Sequence, residues 1–229
     1  MSRASRRAAR GRGGRPRARR GPRIPWLLVA ASVGVAVVAI IAVVAIQGGG
    51  SSESAIQAEA NDDPTLPGDY VNLPEIYGGA YSATAGHVSI DVDYVADGNT
   101  NPPTGGPHWG GGCGNEPSEA PAFCGPAPWG IYREPWEPET LVHNMEHGGV
   151  VVWYNTINQD VIEEIEELVE DRLSDGDILV MAPYPEMDEE QIAITSWSRI
   201  ESFAVSEYSR ERVERFIEIH MRRFNPEDF

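Results

Sequence analysis

Hydrophobic and polar positions divide the chain into blocks of different period. Residues 26–46 (WLLVAASVGVAVVAIIAVVAI) form an unbroken apolar run of 21 residues without a charge. About 20 helical residues span a hydrocarbon core of roughly 30 Å, so this run predicts one transmembrane helix. In residues 87–94 (HVSIDVDY), Val88, Ile90, Val92 and Tyr94 alternate with polar neighbours, the period of a half-buried strand. Residues 150–154 (VVVWY) are continuously apolar and predict a buried strand. A helical stripe follows, made of Val161, Ile162, Ile165, Leu168, Val169 and Leu173, with Thr156 and Gln159 as its capping box and Gly176 at its end. The acids Glu163, Glu164, Glu166, Glu167 and Glu170 fall mostly on the opposite face, as a solvated helix requires. Residues 177–182 and 191–197 predict two strands joined by a turn. Val213, Phe216, Ile217, His220, Met221 and Phe224 mark a last helix, with Ser206 as its cap. Residues 97–138 are rich in proline and glycine and predict a long ordered loop.

The element order is strand, long loop, strand, helix, strand, strand, helix. It predicts an α+β class: one N-terminal transmembrane helix, then a single mixed sheet-and-helix domain. The closing strand-helix-strand-strand-helix is the order of the second part of a thioredoxin-like fold, which is kept as a refinement of that class. Element order carries no function, and the chain holds no C-x-x-C.

Charge sharpens the organisation. The net charge of −17 is a sum of unlike parts. Ten arginines and no acid lie in the first 25 residues; from Glu53 onward, 8 arginines face 35 acids, giving −27. The positive-inside rule puts the arginine tail in the cytoplasm and the acidic body outside the cell membrane. Four segments follow: a basic cytoplasmic tail (1–25), a single-pass helix in the bilayer (26–46), a flexible Gly/Ser/Ala/Glu linker (47–69) and an extracytoplasmic α+β domain (70–229). A cleaved signal peptide is the rival to the anchor, but its apolar core is shorter and ends in a small-residue site, whereas 45–47 read Ala-Ile-Gln. An acidic body repels phosphate, which excludes nucleic acid as a partner of the outer domain.

Candidate chemistry concentrates before residue 150. Cys113 and Cys124 are the only cysteines, and an oxidising exterior suits a disulfide between them inside the Gly/Pro-rich loop; metal ligation is the alternative. His143 and His147 are four apart, so on a helical turn both rings face one way, and His108 can supply a third donor from the proline loop. Neutral imidazole suits copper or zinc, and a Met145 thioether would favour copper(I) if it reached the ion. Residues 143–147 (HNMEH) also fit H-x-x-E-H, a zinc-peptidase pattern in which Glu146 would activate water as the catalytic base. That pattern needs a sustained helix, yet Gly148-Gly149 and a strand-like run follow at once. Histidines that simply bond the loop backbone are the other reading.

The segments HV (87–88), NPPTGGPHW (101–109), GIY (130–132), LVHNMEHGGVVVWY (141–154) and ITSW (194–197) resemble the bacterial family catalogued as domain of unknown function 3105. The resemblance spans roughly residues 70–225. Family members pair a short N-terminal anchor with one outer domain, and their usual pattern has Ser at the position of Gly105 and Leu at that of Met145. The resemblance brings no activity. It implies that His87, His108, His143 and His147 belong to one signature. Three functions stay open: a transition-metal-binding outer domain, an interaction module of a membrane complex with structural histidines, and a metal-dependent hydrolase using residues 143–147.

Overall fold

The computed structural model describes residues 62–78, 86–110 and 125–223. These all belong to one compact unit, Gly48–Phe229. The basic tail, the apolar run 26–46, most of the linker, Cys113, Cys124 and Phe224 lie outside the described residues. Among the described residues, no helix is long and apolar enough to cross a membrane.

A six-stranded mixed sheet organises the unit. Its strands are β1 (Asp69–Tyr70), β4 (Gly130–Ile131), β5 (Val150–Asn155), β6 (Leu179–Pro183), β7 (Gln191–Ser196) and β8 (Arg199–Ala204), in the order β1-β8-β7-β5-β6-β4. The β4, β5 and β6 strands run parallel; β5–β7, β7–β8 and β8–β1 are antiparallel. Two further strands, β2 (His87–Val88) and β3 (His108–Trp109), form a separate parallel pair. The helices are α1 (Leu73–Tyr77), α2 (Tyr94–Asp97), α3 (Pro138–Glu146), α4 (Gln159–Ser174) and α5 (Arg210–His220).

The unbroken apolar run of β5 is explained by cover on both faces. Val150, Val152 and Tyr154 point into one core with Ile162, Ile165 and Leu168 of α4 and Val213, Phe216 and Ile217 of α5. Val151 and Trp153 point the other way, into a core with Leu141, Val142 and Met145 of α3 and with Leu73 of α1. The period-2 alternation of a strand thus feeds two cores at once.

Several local expectations are corrected. The strand expected over 87–94 stops at Val88, and Tyr94 opens a helix. Val92 N–H donates to Glu139 Oε1 at 2.6 Å, Trp109 Nε1–H donates to the Ile90 carbonyl, and the Asp93 side chain caps Ala96, so these three backbone groups find partners outside a strand ladder. Asn158, not Thr156, caps α4 through Val161 N–H, while Thr156 Oγ1 accepts from Asn158 N–H. Ser209 caps α5; Ser206 sits in a 3₁₀ turn (Val205–Glu207). The β8 strand was not foreseen. It returns after a tight turn at Trp197-Ser198 in which Ser198 takes a φ of 64°, a turn without the usual glycine or asparagine signal.

Residues 63–68, assigned to the linker by composition, are tied to the domain by hydrogen bonds. Arg199, 2% exposed, donates to the carbonyls of Asp63 and Gly68 at 2.7 Å each, and His220 Nε2–H donates to the Pro67 carbonyl at 2.8 Å. Three backbone acceptors are therefore tied to β8 and α5. The ordered domain begins before residue 70.

Candidate metal centre

Two structural devices bring distant histidines together. The first is the β2–β3 pair. Its parallel register sets His87 beside His108, with the ring centroids 4.9 Å apart. The loop that delivers His108 is held from several sides. Asn99 Oδ1 accepts from the Thr104 hydroxyl at 3.2 Å, Asn99 Nδ2 donates to the Gly105 carbonyl at 2.7 Å, and Tyr94 O–H donates to the Pro107 carbonyl at 2.6 Å.

The second device is α3. Residues 139–146 of this helix are all buried. His143 and Glu146 are three apart, so they share a face. Asn144 clamps the chain at Ala127 by accepting from its N–H at 2.9 Å and donating to its carbonyl at 2.8 Å. Gly148 then leaves the helix with a φ of 78°. A Cβ at Gly149 would lie 2.5 Å from the Trp129 ring and 2.8 Å from the Asn144 carbonyl oxygen. Both glycines after His147 thus have a steric reason, and they end the helix where the sequence suggested.

His87, His108, His143 and Glu146 each offer one ligand atom, and these four atoms lie within 4.8 Å of one another. His108 and Glu146 are fully buried, and the His143 side chain is 7% exposed. Glu146 Oε2 lies 2.9 Å from His108 Nε2, 3.2 Å from His87 Nε2 and 4.0 Å from His143 Nε2. The remaining oxygen, Oε1, is buried and has no hydrogen-bond partner among the described residues.

The outer ring nitrogens define the inner ones. His108 Nδ1 faces the Gly106 carbonyl at 2.8 Å, and His143 Nδ1 faces the Trp109 carbonyl at 2.7 Å. A carbonyl only accepts, so each Nδ1 carries the proton and donates. In the neutral imidazole each Nε2 is then a bare lone pair pointing inward. A lone pair on His108 faces a carboxylate oxygen at 2.9 Å, acceptor against acceptor. A positive species between them, proton or metal ion, resolves that repulsion. Backbone carbonyls that fix imidazole tautomers in this way are the usual outer shell of histidine metal ligands.

Electrostatics favour a negative Glu146 beside a neutral His143. Burial first, then repulsion from His108, pushes the His143 imidazole down to about 4. For Glu146, burial is the largest single influence and works upward, but the hydrogen bond and charge of His108, with the charges of His87 and His143, outweigh it and hold the carboxyl below its ordinary value. Near neutral pH these conditions give an ionised carboxylate beside an unprotonated His143.

The sequence named all four members of this group, but it gave Glu146 another role and counted His147 as a ligand. His147, expected as a core ligand, lies outside the four; its ring stacks on His143 with centroids 5.0 Å apart. Glu146, read as a candidate catalytic base, is a member of the His/Glu group. Met145 packs into the α3 core with Leu141 and Val151. Since α3 ends at Glu146, the sustained helix of an H-x-x-E-H peptidase is missing. The anchors Asn99 and Asn144 and the carbonyls of Gly106 and Trp109 were not foreseen. Asn144 lies inside the 143–147 segment, but only the fold reveals its partner.

The family described as Protein of unknown function (DUF3105) matches residues 87–228, more than half of the chain. The chain belongs to that family. The DUF3105 match begins at His87, so it includes every member of the His/Glu group and leaves α1 and β1 outside. No curated protein and no solved structure matches the chain.

Proposed function

We propose that this DUF3105 protein is anchored in the cell membrane by residues 26–46 and that its extracytoplasmic domain holds one divalent transition-metal ion through His87, His108, His143 and Glu146. The observation that carries the reading is the buried 2.9 Å approach of His108 Nε2 to Glu146 Oε2, with His108 Nδ1 already donating to a carbonyl. An ion accepts both lone pairs and gives the unpartnered Glu146 Oε1 a cationic neighbour. In tetrahedral zinc sites the donor atoms stand roughly 3.3 Å apart; here they lie within 4.8 Å of one another, so an ion would have to draw them together. Three imidazoles and one carboxylate suit zinc first and copper(II) next. With no sulfur among the four donors, copper(I) lacks its preferred ligand.

Metal analysis of the full-length protein in detergent, reconstituted with zinc or copper, tests the reading. One equivalent is expected in the wild type. Little should remain in His108→Ala with His143→Ala, and affinity should fall by about a hundredfold or more in Glu146→Gln. Full retention in the double variant sinks the proposal. The structural alternative draws on the same 2.9 Å contact: a protonated His108 paired with Glu146 needs no ion, and the domain then serves as an interaction module for a membrane-protein partner. A metal-free protein that co-purifies with a stable partner favours that alternative.

We also infer a thioredoxin-like arrangement for the segment β5-α4-β6-β7-β8-α5. Its sheet order β6-β5-β7-β8, with one parallel and two antiparallel neighbours, supports it. The β5–α4 connection contains no cysteine, so dithiol redox chemistry does not follow from the fold. Membrane placement rests on the apolar run and the arginine tail. In intact cells an impermeant protease should digest the acidic domain and spare the tail; full protection of the domain refutes that topology.

A further inference from the structure

Three members of the His/Glu group are fixed and one is not. His108 and His143 are buried and have their Nδ1 atoms locked by the carbonyls of Gly106 and Trp109. Glu146 is buried on the same helix face as His143. His87 differs in each respect. Its side chain is 32% exposed, it lies on a two-residue strand, and among the described residues its only hydrogen-bond-range polar contact is Nε2 to Glu146 Oε2. Its ring passes directly over Gly110, where a Cβ would collide with the imidazole. Apart from ring contacts with His108 and His143 and the close approach to Gly110, one carboxylate oxygen is therefore the only polar partner that holds this imidazole among the described residues.

Resting on the metal reading above, we propose that His87 is an exchangeable ligand: it can leave the ion and be replaced by water or a small anion from solution. Two histidines and one glutamate remain bound, a donor set that in other proteins leaves a fourth position open for chemistry. The exchange balances simply. The His87 Nε2 lone pair leaves the ion, the incoming donor supplies its own, and neither charge nor oxidation state of the metal changes. A divalent ion with one carboxylate keeps a net charge of +1, so anionic donors are preferred over neutral ones. The exit lies on the solvent side, because His87 is the one exposed member of the four.

Cobalt(II)-loaded full-length protein in detergent gives the readout, since the visible bands of cobalt report its ligands directly. Azide is the probe. In the wild type, azide is expected to change the spectrum saturably. In His87→Ala, cobalt should still bind at one equivalent, weakened by about tenfold or less, and respond to azide at a concentration about tenfold lower. In His87→Gly, free imidazole should restore a wild-type-like spectrum. His143→Ala, which removes a fixed ligand, should lose about a hundredfold or more. The proposal is overturned if His87→Ala loses cobalt as severely as His143→Ala, or if azide leaves the wild-type spectrum unchanged. A wild type that binds no cobalt, zinc or copper overturns the metal reading itself and this inference with it.

Discussion

Asn144 commits its whole amide to one residue, accepting from Ala127 N–H and donating to Ala127 C=O. Ala127 is 3% exposed, so no water can replace those bonds easily. Buried groups left unpaired cost about 1–3 kcal/mol each. Asn144→Ala is therefore expected to lower stability by about 2–4 kcal/mol in a thermal or denaturant melt. Its metal stoichiometry should stay at one, because the side chain points to Ala127 and not to the ion; a loss of metal without a loss of stability would contradict this division of roles. Gly110 acts at the same scale but on the other side of the site. A methyl group there needs the space of the His87 ring. His87 Cβ is also 2.7 Å from that position and does not move with the ring, so His87 and its short strand must shift together; Gly110→Ala should therefore weaken metal binding at least as much as His87→Ala, with all four ligands still present. Titration calorimetry that shows wild-type affinity for Gly110→Ala would refute the close packing.

At the scale of elements, the molecule joins its parts through backbone acceptors. The N-terminal segment 62–71 adds only the two-residue β1 to the sheet, yet it is fastened by Arg199 at the start of β8 and by His220 at the end of α5. Val71 N–H also donates to the Ser198 carbonyl at 2.9 Å. A buried guanidinium is held here by carbonyl dipoles, and charged hydrogen bonds contribute about 1.5–3 kcal/mol each. Arg199→Met keeps the packing volume and removes the donors. It should release residues 63–70 selectively, seen as faster amide hydrogen exchange there, with β5 to β7 unchanged. Uniform loss of protection across the sheet would mean that Arg199 supports the core itself. The β2–β3 pair is the opposite case. Two residues per strand cannot stand alone, and this pair is supported by the 86–110 loop bonds and by the His/Glu group that it helps to build.

For the whole molecule, pH acts on the buried histidines. His220 is 2% exposed, and burial, its largest influence, pushes its imidazole down to about 4 despite the bond to the Pro67 carbonyl. Its unfolded value is about 6.5. Above that pH both states are neutral and the group contributes no penalty. As pH falls from about 6.5 toward 4 the unfolded chain takes up a proton that the folded chain refuses, so stability is lost across that window. The loss is about 2 kcal/mol at pH 5 and approaches about 3 kcal/mol below pH 4. In His220→Gln the difference in unfolding free energy between pH 7 and pH 5 should shrink by about that 2 kcal/mol. An unchanged pH slope would show that His220 is not the titrating group. The charge split of the chain belongs to this scale too. If residues 26–46 span a membrane as proposed, the ten arginines before them, and not the acids after them, would set the orientation.

What the sequence determined alone were features with local causes. The apolar run of β5, the stripes of α4 and α5 and the glycines after His147 depend on neighbours within a few residues, and each is legible from period or turn chemistry. The histidine segments were visible as an unusual grouping, and the family followed from them. Tertiary structure decided what depends on contacts between distant segments. Glu146 stands with His87, His108 and His143 while His147 stacks outside them, and that grouping depends on where the β2–β3 pair meets α3. The register of β2 on β3 puts His87 beside His108, and no spacing along the chain contains that register. The carbonyls of Gly106 and Trp109 set which nitrogen faces inward. A carbonyl is the same in every residue, so no side-chain pattern could have marked them.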